Sequence, residues 1–394
     1  MSEVQLYSHQ RKFVDSHKGN PQSALLCWET GTGKTLAAVR WLWEFPARQL
    51  KVIICPKQIV QKWSNEKLPK NTRVMSREEF VRDTGLVGAA CAIVVDEADQ
   101  FASPLFIAKS RSLRSEALYG YIRRHTPKVL LLTATPVRST PWNLHTLLTF
   151  LGLYTDWKKW QSDYFELVRK PFLPRPAFFP VKNWRTLIRV PLEKYANIVL
   201  LRDCVAEVPP ITESSEMIQL PPYVPDPEAA EWEPMKQFVA RHRYEQHPKK
   251  FTRAEEIASG FGKSVVVCHF REQMEAWGKL FEKKGWQVYQ VHGGVKDPEG
   301  VIKEAQEDPN CILLIQASIA AGFDLDLFSC MIFASMSYRV VDYVQMMGRP
   351  KRIHNLHPVH YYFLLGGKCD KGIYDTVKAG LDFVPSVYKV KQYL

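Results

Sequence analysis

Short apolar runs, each ending in a turn and followed by a helix-length amphipathic stretch, recur along the chain. In the first part the runs are Ala24–Trp28, Val52–Cys55, Ala92–Val95 and Val129–Leu132. In the last part they are Val265–Cys268, Val288–Val291, Ile312–Ile315, Met331–Ala334 and His360–Leu365. Runs this short, rich in Val and Ile and alternating with helical stretches, predict parallel strands buried on both faces. Two such series predict two α/β lobes.

The stretch between them breaks the pattern. Residues 155–191 hold eight bases (Lys158, Lys159, Arg169, Lys170, Arg175, Lys182, Arg185 and Arg189), eight aromatics and five prolines against three acids. That many prolines forbid a single regular helix. Residues 221–234 turn Pro-rich and acidic, and 236–253 swing basic again. The predicted organisation is therefore an N-terminal lobe over 1–154, a basic-aromatic accessory segment and connection over 155–257, and a C-terminal lobe over 258–394.

A length of 394 residues allows two or three domains, and 46% hydrophobic with 24% charged residues is ordinary for a globular chain. No apolar run approaches the ~18 residues needed to span a bilayer. The start, Met1-Ser2-Glu3-Val4, lacks a basic-then-apolar leader, and the eight cysteines contain no CxxC pair. A cytoplasmic, reducing location is the expectation. A net charge of +12 points to a polyanionic partner, nucleic acid before membrane.

Trp28-Glu29-Thr30-Gly31-Thr32-Gly33-Lys34-Thr35 follows a predicted strand and opens a predicted helix, the context of a phosphate-binding loop. The glycines let backbone N–H groups turn toward phosphates at the positive end of the helix. Lys34 is expected to reach the β- and γ-phosphates and Thr35 to bind Mg²⁺. Trp28 stands where the longer form of this motif has glycine, so the GxGKT core carries the reading. Ala92–Val95 ends in Asp96-Glu97-Ala98-Asp99. Asp96 at the strand tip suits a metal ligand and Glu97 suits the base that activates water.

From these residues the chain resembles a superfamily two helicase or translocase, most closely the Swi/Snf-type ATPases. Pro56–Trp63 resembles their "CP…W" segment, and Leu130–Pro136 with Asn143–Leu151 their motif III. Leu6–Gln10 resembles the adenine-binding Q motif, which implies a nucleotide role for Tyr7 and makes Gln10 the adenine reader. Val265–Phe270 resembles motif IV and Gly322-Phe323-Asp324-Leu325 the end of motif V. Gln345-Met346-Met347-Gly348-Arg349-Pro350-Lys351-Arg352 fits QxxGRxxR, the arginine-finger motif VI. The resemblance implies two RecA-like lobes in tandem, ATP and Mg²⁺ in an interlobe cleft, and catalytic roles for Gln345, Arg349 and Arg352 beside Lys34, Asp96 and Glu97. Glu29 to Thr35, Gly322 and Asp324 complete the implied nucleotide site. DEAD replaces the DEAH usual in Swi/Snf-type enzymes, and motif V lacks their paired glycines. The compact length resembles a minimal motor of the phage or prokaryotic kind, expected to act as a monomer.

The implied partner is double-stranded or branched DNA, gripped by its backbone. Lys57, Thr133, Arg138, Ser139, His269 and Arg271 are the contact candidates, together with the segment 155–191, whose aromatics read equally well as a small core of their own. RNA is the second substrate class, since Thr133-Ala134-Thr135 and Gln345–Arg349 depart from the Ser-Ala-Thr and His-Arg-x-Gly-Arg of DEAD-box RNA helicases. A nucleotide-gated clamp without turnover is a third reading, opposed by intact Lys34, Glu97, Arg349 and Arg352. His354, His357 and His360 form an H-x₂-H-x₂-H string, but Pro358 and a following strand favour a loop over a zinc site.

Overall fold

The computed structural model describes residues 6–106, 112–137, 140–169, 176–204, 210–220, 247–319, 323–336, 340–351, 357–366, 370–371, 373–375 and 377–378. They form two compact units that divide between residues 206 and 207.

In the first unit six strands make one sheet: β1 (Ala24–Trp28), β2 (Lys51–Cys55), β3 (Thr72–Ser76), β4 (Ala92–Asp96), β5 (Lys128–Leu132) and β8 (Ala196–Val199). Their order is β3-β2-β4-β5-β1-β8, and every pairing is parallel. The two-residue period of each strand sorts its side chains onto opposite faces. Leu25, Cys27, Val52, Ile54, Ile93, Val95 and Leu131 pack with the helices Arg77–Asp83, Leu113–His125 and Trp142–Phe150. Leu26, Trp28, Ile53, Cys55, Val94 and Leu132 pack with Ser8–His17, Lys34–Leu42 and Val60–Asn65. Burying one such aliphatic side chain is worth roughly 1.5–3 kcal/mol, so the double-sided core dominates the unit's stability.

Lys51 is fully buried at the start of β2, its ammonium donating to the carbonyls of Pro46, Gln49 and Lys70 at 2.9, 2.9 and 3.0 Å. That cluster ties the turn before β2 to the loop before β3. The accessory stretch adds the helix Trp157–Tyr164, an antiparallel hairpin of β6 (Phe165–Val168) and β7 (Ala177–Pro180), and the helices Trp184–Leu187 and Arg189–Tyr195. Trp160, Phe165, Trp184, Ile188 and Leu192 from this stretch join the core of the first unit.

The second unit repeats the plan with β9 (Ile211–Met217), β10 (Ser264–Cys268), β11 (Gln287–Val291), β12 (Cys311–Gln316), β13 (Cys330–Phe333) and β14 (Val359–Leu365). The order is β11-β12-β10-β13-β14-β9, again with parallel pairs only. Thus the connecting stretch supplies an edge strand to each sheet, β8 to the first and β9 to the second. Lys250 and Asp370 form a buried ion pair of 3.0 Å, and the Asp370 carboxylate also accepts the Gly366 N–H at 2.7 Å. No helix among the described residues is long and apolar enough to cross a membrane.

Candidate nucleotide site

Strand β1 ends at Trp28, which is wholly buried. Its indole N–H donates to Asn197 Oδ1 at 2.7 Å, and His9 and Phe13 meet its ring edge-on. A tryptophan at this point in the motif therefore fastens β1 to β8 and to the first helix. The loop beyond it turns on Gly31 (φ 83°) and Gly33 (φ 80°), both left-handed. At Gly33 a β-carbon would also lie 2.1 Å from Gln10 Nε2. The left-handed backbone favours glycine there, and any β-carbon would also displace the Gln10 amide.

Lys34 opens the next helix, with its ammonium reaching back to the carbonyls of Trp28 and Glu29 at 2.8 and 3.2 Å. Thr32 is buried, its hydroxyl donating to the Glu29 carbonyl at 2.7 Å. Thr30 is buried and Thr35 half-buried, the latter second in the helix. The Glu29 carboxylate accepts the Leu201 N–H at 2.9 Å, so it secures the turn after β8.

The Gln10 side chain is engaged within the protein. It is buried, its amide donates to the carbonyls of Thr32 and Gly33 at 3.3 and 3.2 Å, and its oxygen accepts the Tyr7 N–H. With donors and acceptor engaged on the loop and its own helix, Gln10 braces the phosphate loop. His9, which the motif reading passed over, does the same through Nε2 and the Thr32 carbonyl at 2.9 Å, and burial lowers its pKa. Tyr7 keeps a partly exposed ring, stacked near His9.

Asp96 ends β4 on the edge of the sheet where β1 also ends, with β5 between them. One carboxylate oxygen accepts the Trp63 indole N–H at 3.0 Å and the other the Glu97 N–H at 3.0 Å. Trp63 belongs to the "CP…W" segment, so that motif aims the acid. Glu97 sits at φ 51°, ψ 50°, a left-handed conformation costly for a side chain larger than glycine. Asp99 is buried and collects the hydroxyls of Thr133 (3.0 Å) and Thr135 (3.3 Å). This corrects one expectation. Thr133 is fully buried, and its hydroxyl links the end of β4 to the end of β5 instead of facing a nucleic-acid backbone.

One further charged group lies at this edge. Arg77, directly after β3, is largely buried with Nε and Nη1 lacking a partner among the described residues. Burial lowers its pKa, while Glu78, then Asp99 and Glu97, act against that. Burial also raises the thiol pKa values of Cys27 and Cys55 beneath the loop, keeping both protonated. Asp96 and Thr35 present hard oxygen atoms, and the Asp96 carboxylate is held in one orientation by its two donors, so the set fits Mg²⁺.

In the second unit Arg349 is buried, donating from Nη1 to the Phe323 carbonyl at 3.4 Å, while its own carbonyl accepts the Leu325 N–H. The motif VI arginine and the motif V segment around Asp324 are thereby joined. Gln345 is buried in the helix Val340–Met347. His269 is half-buried at the end of β10, its N–H donating to Ser335 Oγ, and Arg271 is exposed in an ion pair with Glu275. Lys57 is exposed in the turn after β2. Arg138, Ser139, Gly322, Arg352 and His354 lie outside the described residues. His357 precedes β14 and His360 lies within it.

Residues 249–354 match the family "Helicase conserved C-terminal domain". The match spans the sequence motifs from Val265–Phe270 to Arg352, so the second unit carries the C-terminal domain of helicases. The phosphate loop and the Asp96-Glu97 pair lie in the first unit, and the stretch that matches the helicase C-terminal family lies in the second. Among solved structures, the Sulfolobus solfataricus SWI2/SNF2 ATPase core in complex with dsDNA is similar at 17% identity and a TM-score of 0.43, over 94% of this chain and 90% of that chain. No curated protein sequence matches.

Proposed function

We propose that the protein is an ATP-driven DNA translocase that hydrolyses ATP to move on double-stranded or branched DNA. The observation that carries the proposal is the pairing of a braced phosphate loop with an oriented Asp96 and a strained Glu97 in one unit, and a helicase C-terminal domain in the other. The loop's N–H groups and Lys34 would hold the phosphates. Asp96 and Thr35 would hold Mg²⁺, which supplies charge neutralisation across the β- and γ-phosphates when bound. Glu97 takes a proton from the attacking water, and Arg349 with Arg352 stabilises the charge that develops on the phosphoryl group.

Coupling to DNA rests on Asp99. Its bonds to Thr133 and Thr135 give a change at Asp96-Glu97 a direct path to the loop after β5, where Arg138 and Ser139 are proposed to touch the DNA backbone. DNA is favoured over RNA because motifs III and VI depart from the RNA-helicase patterns. ATP turnover measured alone and with ssDNA, dsDNA, branched DNA and RNA tests the proposal, with Lys34→Ala and Glu97→Gln as controls. Stimulation by duplex or branched DNA is expected. Stimulation by RNA alone overturns the DNA assignment, and absence of turnover makes the protein a clamp.

A further inference from the structure

The hairpin β6–β7 carries an apolar pair that the core of its unit does not absorb. Phe165, on the same face of β6, is buried against Trp142, with ring centroids 4.9 Å apart. Two residues on, Leu167 faces Phe178 directly across the ladder, and the two are 60% and 50% exposed. The hairpin thus continues its apolar face beyond the core that justifies it. Single exposed apolar residues need no explanation, but a cross-strand pair at the same register does.

The surroundings select the partner. Lys158, Lys159, Arg169, Lys182 and Arg185 are exposed on the elements that flank the hairpin. The Lys158 ammonium and the Arg185 guanidinium lie over the rings of Trp157 and Trp184, at 5.9 and 5.6 Å. The acids of the same described stretch are Asp156, occupied in capping the helix at Lys159 N, Asp163, and Glu166 on the other face of the hairpin. Cations suit phosphates, while an apolar pair gains nothing from them. Base faces would satisfy the pair, and a duplex hides its base faces in the stack.

We propose that Leu167 and Phe178 stack on unpaired bases where a duplex opens, with the flanking cations on the phosphates of that strand. The proposal rests on the DNA reading above and adds a preference for forks and gaps over continuous duplex.

Binding of fluorescent DNA to the full chain tests it, comparing a blunt duplex with a forked duplex of equal length that carries 2-aminopurine in its unpaired arm. The wild type should prefer the fork by about tenfold and change the 2-aminopurine emission, as stacking of one or two bases predicts. Leu167→Ser with Phe178→Ser should abolish both effects and leave blunt-duplex affinity and DNA-stimulated ATP turnover within about twofold. Phe178→Trp, which keeps a ring, should retain both. A wild type that binds duplex and hydrolyses ATP without fork preference overturns this proposal alone. So does a serine variant that keeps the preference, or one that loses blunt-duplex binding equally. A wild type that binds no DNA and hydrolyses no ATP in its presence overturns the translocase reading itself.

Discussion

The indole N–H of Trp63 donates to Asp96 Oδ2 at 3.0 Å, joining the helix after β2 to the tip of β4. A hydrogen bond to a charged group contributes about 1.5–3 kcal/mol, and here that energy fixes the direction of a carboxylate. Trp63→Phe keeps an aromatic ring in the buried site and removes the donor. The Mg²⁺ concentration giving half-maximal ATP turnover should rise by about tenfold. A Mg²⁺ titration that superimposes on the wild type would show that Trp63 only packs.

Gln10 separates two roles by base selectivity. As a brace of Thr32 and Gly33 its loss should weaken ATP and GTP alike, by roughly tenfold for two buried hydrogen bonds. An adenine reader would lose ATP affinity alone. Nucleotide titrations of Gln10→Ala with both triphosphates distinguish the two.

His145 is fully buried among Phe106, Trp142, Tyr154 and Trp160, and burial lowers its pKa to about 4, with Asp156 opposing. A depressed folded-state pKa means that the unfolded chain takes the proton first. Stability is therefore full above about pH 6.5 and lost as pH falls from there toward 4. Between pH 7.5 and pH 5 the loss should be about 2 kcal/mol by urea denaturation. His145→Leu should remove that part of the pH dependence.

Asp370→Asn would strand the buried Lys250 ammonium, at a cost of about 3–5 kcal/mol to the second unit. Joint replacement, Lys250→Met with Asp370→Leu, should recover much of it. Thermal unfolding of the two variants beside the wild type reads this directly.

Charge reversal at Lys158, Lys159, Lys182 and Arg185 should weaken DNA binding and flatten its dependence on salt. Each lost phosphate contact removes about 0.9 from the log–log slope. An unchanged slope would place these residues outside the DNA contact.

The nine apolar runs read from the chain each fall on a strand, with Ala334 alone past a strand end, because strands covered on both faces cannot hide their composition. Strand β9 was not legible. Its residues, Ile211–Met217, alternate without an apolar face and are held by pairing along β14 at the edge. The hairpin was hidden by the prolines in its sequence, one of which, Pro180, ends β7. At the site, the phosphate loop and Asp96-Glu97 were plain from residue type and spacing. The partners of Gln10, Thr133 and Trp63 were not. Those roles depend on which polar groups are buried together, and they arise between segments 22 to 34 residues apart.

The backbone of Glu97 sets hydrolysis against endurance. At φ 51° glycine or asparagine would rest more easily than glutamate, so losing the base would make the first unit harder to melt. A lineage drifting without selection for turnover would slide toward a sturdier, silent protein. Glutamate at this position therefore holds a backbone conformation that the proposed role as base would account for.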